Sequence, residues 1–552
     1  MSSAYPSLNR RGFLGAVGAT GLTVAGGSLL GACSTGSTSG KGGAAKSAKV
    51  KLPAYIAANV AAPDLAGNAD GLDPAYLRYP KKLVKSVAKT PGDGKPITAL
   101  TETFTTAPPA MGRNAYWQEL NKQLGSEFKM TVVNGMGEDD VYLMKFNALT
   151  ASDDLPNLVW FPPNQGLRNV PQVLQARFHD LTSYLSGDAV KEFPNLANIP
   201  DFAWKTAVIN GSIWGTAVPY GRFGQVQLVN ADFWKPVGGA RFDDAEDFLA
   251  KGKDLLDIKR KKYVLEPAYV NAVQAFSQWY GAPNWWSLKD GKLTSKFESD
   301  AYLAAIELAL KCFKAQLFWP DPNLRTHMEK LTGGQLGSYV QSFPGFLGDT
   351  KMYDWPIEAI VPFAAESGVT PNYHLGRGSV GFVGISKSVD KKRVKTLLAV
   401  MDYLNAPFGS EERLFLGNGI EGTHHKRTSD GDVQLTPKGE GEALTTFDPL
   451  QFLGNTPETL YTPGKPDVTR YIHKTQGELL KIAQADPTVG FYSDTYAQKW
   501  QSLRNEVEDD VKDIIAGRKP VSSFKDTVKT FLRTGGDAVR GEFEDAIAKG
   551  AK

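Results

Sequence analysis

Ile97-Thr98-Ala99-Leu100-Thr101-Glu102-Thr103-Phe104 reads as a β-strand, partly alternating and bounded by proline upstream. A helical pattern follows over 116–124, and Lys129-Met130-Thr131-Val132-Val133-Asn134 reads as a second strand. The spacing then predicts a helix over 139–151, opened by the Asp139-Asp140 pair. Leu158-Val159-Trp160-Phe161 is short and continuously apolar, as a strand buried on both faces should be. Strand, helix, strand, helix, strand is the opening of a parallel α/β sheet. Such sheets hold ligands outside the carboxyl ends of their strands. Trp160, next to Phe161-Pro162-Pro163 at such an end, is therefore a first candidate ligand contact.

Upstream of this unit the chain reads as an export apparatus. Arg10-Arg11 precedes a Gly/Ala-rich apolar run too short and too glycine-rich to span a bilayer, and the pair resembles a twin-arginine signal. The run closes on Leu30-Gly31-Ala32-Cys33, which resembles a bacterial lipobox with cleavage before Cys33 and lipid on its thiol. Residues 1–32 are accordingly read as a signal peptide and 33–51, rich in Ser, Thr, Gly, Ala and Lys, as a flexible tether. The expected location is the outer face of the cytoplasmic membrane, with the lipid as the anchor. Residues 52–96, rich in Pro, Ala, Asp and Gly, are expected to wrap in extended form rather than build a domain.

Composition limits both size and partners. A chain of 552 residues with 42% hydrophobic and 11% aromatic content supports two or more lobes with substantial cores. The formal charge of +3 falls to +1 once Arg10 and Arg11 leave with the signal. No basic block with interleaved aromatics appears, which argues against nucleic acid as a partner. Of two cysteines, Cys33 is assigned to lipid, so Cys312 is single and no intrachain disulfide is expected. Its place in a helical pattern makes it a buried structural thiol.

Further along, separate segments add up. Asp153-Asp154-Leu155-Pro156-Asn157-Leu158-Val159, then Phe178-His179-Asp180-Leu181-Thr182-Ser183-Tyr184-Leu185, then Asn210-Gly211-Ser212-Ile213-Trp214-Gly215-Thr216-Ala217-Val218-Pro219 occur in that order. Gly381-Phe382-Val383-Gly384-Ile385-Ser386 leads into an apolar helical pattern over 390–404, and Gly417-Asn418-Gly419-Ile420-Glu421-Gly422-Thr423-His424-His425 comes after it. Together they resemble bacterial extracellular solute-binding proteins of family 1, the sugar-type substrate-binding lipoproteins of ABC transporters, in their larger oligosaccharide-binding form. Asn230 stands where that family has an arginine.

The resemblance implies a two-lobed α/β fold of the periplasmic-binding-protein type II, with hinge crossovers and a ligand cleft between the lobes. The lobes are expected at 97–222 with 373–430 and at 223–372 with 431–552. It implies a monomer that captures a carbohydrate, with an oligosaccharide favoured, and delivers it to permease subunits. The rival readings are a secreted carbohydrate-active enzyme, lyase or glycosidase, and a binder of peptides or another polar solute.

Apolar periodicity supplies the cores. Leu303, Ile306, Leu310, Phe313 and Leu317 recur at helical steps over 300–318, and Val394, Leu397, Leu398, Met401 and Leu404 do so after Ser388, a candidate cap. Trp500, Leu503, Val507, Val511 and Ile514 make a third stripe, and 524–532 a fourth.

Signatures of catalysis are missing. The six histidines never form His-Glu-x-x-His, and no Gly-x-Ser-x-Gly occurs. Gly376-Arg377-Gly378-Ser379-Val380-Gly381 leads into a strand, whereas a dinucleotide site needs the strand before it. No enzyme activity or cofactor is expected and no metal-ligating set is read, with a structural Ca²⁺ left open by the sequence. Aromatics in Gly/Pro-rich loops carry the binding signal, because flat rings cover the C–H face of a sugar while charged and amide groups bind its hydroxyl rim. Trp160, Tyr220, Trp279, Trp285, Trp286 and Trp355 are the aromatic candidates, and Arg222, Arg377 and Glu421 the polar ones. Core packing competes for each tryptophan, and structural ion pairing for each charge.

Overall fold

The computed structural model describes residues 50–550 apart from 69, 136–140, 153, 164–166, 168, 325 and 354–356. The signal segment with Arg10-Arg11, Cys33, most of the tether, Asp139-Asp140 and Trp355 lie outside the described residues.

β1 (Ile97–Thr103), β2 (Phe128–Asn134) and β3 (Leu158–Phe161) are parallel, with β1 central. β4 (Thr216–Pro219) closes this sheet at its far edge. The strand that lies between β3 and β4, antiparallel to both, arrives only after the second sheet has been made. That second sheet comprises β5 (Gln225–Asn230), β6 (Tyr263–Leu265), β7 (Leu336–Ser342) and β8 (Ile357–Ile360), in the order β8-β5-β7-β6. β9 (Ser379–Ile385) then returns, giving the first sheet the order β2-β1-β3-β9-β4. All four residues of β3 are buried, so a central strand covered on both faces explains its unbroken apolar run.

The connecting helices are shaped by their ends. α1 (Ala115–Leu124) starts where the Asn114 side chain accepts the Trp117 N–H and stops at Gly125, left-handed at φ 65°. Its buried face of Tyr116, Trp117, Leu120 and Leu124 packs on the sheet, and truncating Leu120 to alanine should cost about 2–5 kcal/mol. α2 (Val141–Ser152) links β2 to β3 and buries Tyr142 and Phe146.

In the second lobe, α3 (Tyr269–Trp279) packs on the second sheet, α4 (Asp300–Lys314) lies against α3, and α5 (Phe343–Met352) packs against β7. α4 differs in phase from its predicted stripe. It buries Tyr302, Ala305, Ile306, Ala309 and Cys312, leaves Leu303 and Phe313 half-buried, and ends before Leu317. The chain turns left-handed at Gln316, φ 60°, so Leu317 enters the core from the following segment. Cys312 is free and buried, and burial pushes its thiol pKa up.

α6 (Val394–Leu404) presents its stripe as expected, but Ser388 is not its cap: the Ser388 hydroxyl donates to Leu155 O at 3.2 Å. Asp390 accepts the Lys392 N–H at 2.8 Å and caps the turn that feeds the helix. α7 (Glu411–Asn418), α8 (Pro466–Leu480) and α9 (Asp494–Ile515) complete this part of the chain, and α9 buries Trp500, Leu503, Val507, Val511 and Ile514.

The fold is two-lobed. One core gathers side chains from 97–218 and 382–453, a second from 229–365 and 500–543, and a smaller third sits around Phe223, Phe343, Tyr373 and Leu460. The first takes in Ala443, Leu450, Phe452 and Leu453, beyond the point at which the first lobe was expected to end. Residues 52–96 run extended across the molecule. Pro53 bridges Gly187, Ala75 bridges Leu460, and Val84 bridges Ser410.

Candidate functional site

β1, β3 and β4 end, and β9 begins, along one edge of the first sheet. In the second sheet β6, β7 and β8 end, and β5 begins, along one edge. The linker from β4 to β5 and the return into β9 join these two edges, so each lobe turns its strand ends toward the crossover. That is the position at which α/β sheets accept ligands.

Tyr220 sits at the centre of this crossing. Its N–H donates to Gly378 O at 3.1 Å, tying the outgoing linker to the returning one. Burial pushes the phenol pKa up to about 12, with Glu458 and Asp448 adding to the rise. Gly221 lets the backbone come close: a Cβ there would stand 3.0 Å from Pro344 Cγ and 3.8 Å from Glu458 Oε2. Burial raises the Glu458 carboxyl pKa, opposed by two cations, Lys351 and Arg413.

Those cations come from opposite lobes, Lys351 from α5 and Arg413 from α7. Lys351 is exposed at the surface, and partial loss of hydration lowers its pKa, with Glu458 opposing the shift. Arg413 is lowered for the same reason; its guanidinium lies 5.0 Å over the Phe447 ring, and Nη1 is buried with no hydrogen-bond partner. Among the described residues no ion pair within 4 Å engages Lys351, Arg413 or Glu458.

Asp448 borders the end of β1, where its Oδ2 accepts from Thr103 Oγ1 at 2.6 Å and from the Phe104 N–H at 3.0 Å. Phe104, just past β1, is 42% exposed and rests on Phe452 at 5.6 Å, which in turn meets Trp160 at 4.9 Å. Met352, next to Lys351, is 71% exposed. Donors, acceptors and apolar surface thus converge at the crossover. This is the inventory a polyhydroxylated ligand needs.

The structure distributes the predicted site residues unevenly. Tyr220 joins the charged cluster. Trp160 is buried, its indole N–H donating to Val380 O at 2.8 Å, so it reaches the cleft only through Phe452. Trp279 and Trp286 are each 1% exposed within the second core, where Trp279 meets Phe363 at 4.3 Å and Trp286 meets Trp500 at 6.2 Å. Their ring faces are covered by protein, which corrects the expectation that they stack on ligand. The left-handed φ of 60° at Trp285 turns the chain so that its neighbour enters the core.

Trp285 itself is half-buried, and the Lys296 ammonium lies 3.5 Å over its ring. It also lines a groove of about 490 Å³ with Asn284, His374, Arg504 and Glu508. Arg222 donates to Asp70 O and lies 5.2 Å over Phe202, fastening the extended N-terminal segment. Arg377 Nη2 donates to Tyr496 Oη at 2.7 Å, joining the return linker to α9. Glu421 is exposed on the turn after α7. Trp355 lies outside the described residues.

Lys351, Arg413, Asp448 and Glu458 are not singled out by the sequence reading. Phe447-Asp448-Pro449 and Pro457-Glu458 carry the aromatic and proline composition that marks the other candidate loops, and that signal could have found them. Lys351 and Arg413 sit on ordinary helix surfaces and give none. Among the described residues no group of three or more His, Cys, Asp or Glu gathers as for a metal, and no helix is long and apolar enough to cross a membrane.

No family model matches the chain. Lipoprotein LipO of Bacillus subtilis (strain 168) is 23% identical over 448 residues, covering 76% of this chain and 86% of that one. The polygalacturonan/rhamnogalacturonan-binding protein YtcQ of the same strain is 22% identical over 458 residues, covering 78% and 87%. Among solved structures, the S. pneumoniae ABC-transporter substrate-binding protein FusA in complex with kestose is similar at TM-score 0.59 and 13% identity, over 83% of this chain and 100% of that one. The chain thus has the two-lobed, type II periplasmic-binding-protein-like fold, and its resemblance to the oligosaccharide-binding solute receptors runs along most of its length.

Proposed function

We propose that this chain is the solute-binding component of an ABC importer, capturing a carbohydrate between its lobes and delivering it to a membrane permease. An oligosaccharide is favoured by the saccharides in the names of its relatives. The observation that carries the reading is the crossover itself, where the strand ends of both lobes face one another, Tyr220 ties the two linkers together and Glu458 lies beside Gly221 under the influence of Lys351 and Arg413. A ligand held there touches both lobes only when they are closed, so it stabilises that state by its differential contacts. The permease then recognises the closed form.

In this reading 97–222 with 373–430 closes on 223–372 with 431–552, except that residues 443–453 travel with the first lobe. Capture is without turnover, and the protein acts as a monomer. Arg10-Arg11 directs export, and lipid on Cys33 anchors the chain outside the membrane through the 33–51 tether. A relative's description as a lipoprotein supports the anchor.

A thermal-shift screen against mono- and oligosaccharides, with chromatography of the recovered sugar, tests this. Ligand at about a hundred times its dissociation constant should add roughly 2.7 kcal/mol of stability. A shift with intact sugar is the expected result. Cleaved sugar would point to an enzyme, and silence across all saccharides would remove the carbohydrate assignment.

A further inference from the structure

On the second lobe, the ends of β6 and β7 enclose a pocket of about 440 Å³ lined by Gln225, Glu266, Asn271, His327, Tyr339 and Gln341 among others. Glu266, the residue after β6, is 2% exposed. Its Oε1 accepts from the Val340 N–H at 2.9 Å and from Asn271 Nδ2 at 3.3 Å, and its Oε2 lies 3.6 Å from His327 Nε2. The His327 ring stacks on Tyr339 with centroids 4.9 Å apart and planes 13° from parallel. Burial pushes the Glu266 pKa up to about 7, so the carboxyl sits where water reaches it poorly.

The pocket adjoins the cleft. Gln225, on its wall, begins the strand fed by the Tyr220 linker. Ser342, also on its wall, precedes by two residues the Pro344 that packs against Gly221 beside Glu458. Ser342 and Pro344, two residues apart at the start of α5, are separated by at most roughly 7 Å, so a chain-like ligand seated at the crossover reaches the pocket without leaving the protein. A carboxyl fixed by two donors, amide side chains on the walls and a flat aromatic pair are the groups that read one sugar ring's hydroxyls and C–H face.

We propose that this pocket is a specificity subsite for the terminal sugar residue of the oligosaccharide held in the cleft, with Glu266 accepting hydrogen bonds from its ring hydroxyls. The assignment rests on the saccharide reading of the cleft and names where one end of that ligand lies. It makes affinity depend on ligand length in a way that one residue controls.

The test is calorimetry on the purified full-length protein in detergent, with galacturonate, malto- and fructo-oligomers of two to six units as probes. Wild type should gain tenfold or more in affinity at one step of chain extension. Glu266→Gln should lose that step while binding shorter oligomers as wild type does. Ala268→Phe, which narrows the same pocket while leaving Glu266 in the chain, should lose the same step and covers the case in which Glu266→Gln fails to fold. Unchanged length dependence in the variants, or an equal loss at every length, overturns the subsite and leaves saccharide capture in the cleft standing. No binding by wild type in any series overturns both.

Discussion

Lys296 is 3% exposed, and desolvation lowers its pKa to about 7. What keeps a lysine there is the Trp285 face, 3.5 Å from the ammonium, and Gln274 Oε1 at 3.3 Å. Trp285 also meets Trp500 edge-on at 5.4 Å. Trp285→Ala should therefore cost about 3 kcal/mol and lower the melting temperature clearly, because it removes both packing and the partner of a buried cation. An unchanged urea midpoint would make Trp285 a ligand contact again. His374 makes a second residue-scale case. It is buried, its Nε2 donates to Ala282 O at 2.8 Å, and burial lowers its pKa to about 3. A depressed pKa gives stability that is present above the unfolded value near 6.5 and lost as pH falls toward 3. Urea unfolding at pH 7.5 and 5.5 should show His374→Gln losing about 1.4 kcal/mol less than wild type over that drop.

At the scale of elements, residues 86–93 of the extended segment are held by side chains of the first lobe. Buried Glu412 on α7 accepts the Ser86 N–H at 2.9 Å, the Ser86 hydroxyl at 2.9 Å and the Val87 N–H at 3.1 Å. Arg393 clasps Asp93 through Nε at 2.9 Å and Nη2 at 3.0 Å. Glu412→Ala should cost about 3 kcal/mol and open 52–96 to limited proteolysis, with cuts located by mass spectrometry. Continued protection would mean that the Arg393–Asp93 clasp and the bridges to Gly187, Ser410 and Leu460 suffice to hold the segment. The elements themselves are largely legible in the sequence, since β1, β3 and α9 follow from apolar runs and helical steps. α4 is misphased because Tyr302, Ala305, Leu308, Ala309 and Cys312 join Ile306 on its buried face, while Leu303, Leu310 and Phe313 are only half-buried. Asp390 caps the turn that feeds α6, while the Ser388 hydroxyl is bonded to Leu155 O. The tryptophans mislead for a related reason: loop composition shows where a ring is needed but not whether protein or ligand covers it. The charged cluster is illegible because 351, 413, 448 and 458 lie on four segments whose approach no local period encodes.

For the whole molecule, closure sets the cost of bringing Lys351 and Arg413 together. They belong to opposite lobes, Arg413 is the more deeply placed of the two, and Glu458 is the carboxylate that opposes their depressed pKa values. A neighbouring opposite charge at partial burial is worth on the order of 2 kcal/mol, comparable with a tenfold to thirtyfold change in a closing equilibrium. Glu458→Gln should therefore shift the unliganded protein toward the open arrangement, raise its radius of gyration in X-ray scattering and weaken saccharide binding about tenfold. Adding Lys351→Gln removes one side of the repulsion, so the double variant should return toward the wild-type radius. A coupling of this sign between two lobes is what a double-mutant cycle isolates. If Glu458→Gln left both radius and affinity at wild-type values, the cluster would be inert to closure, and ligand capture would have to be driven from the apolar edge at Phe104 and Met352.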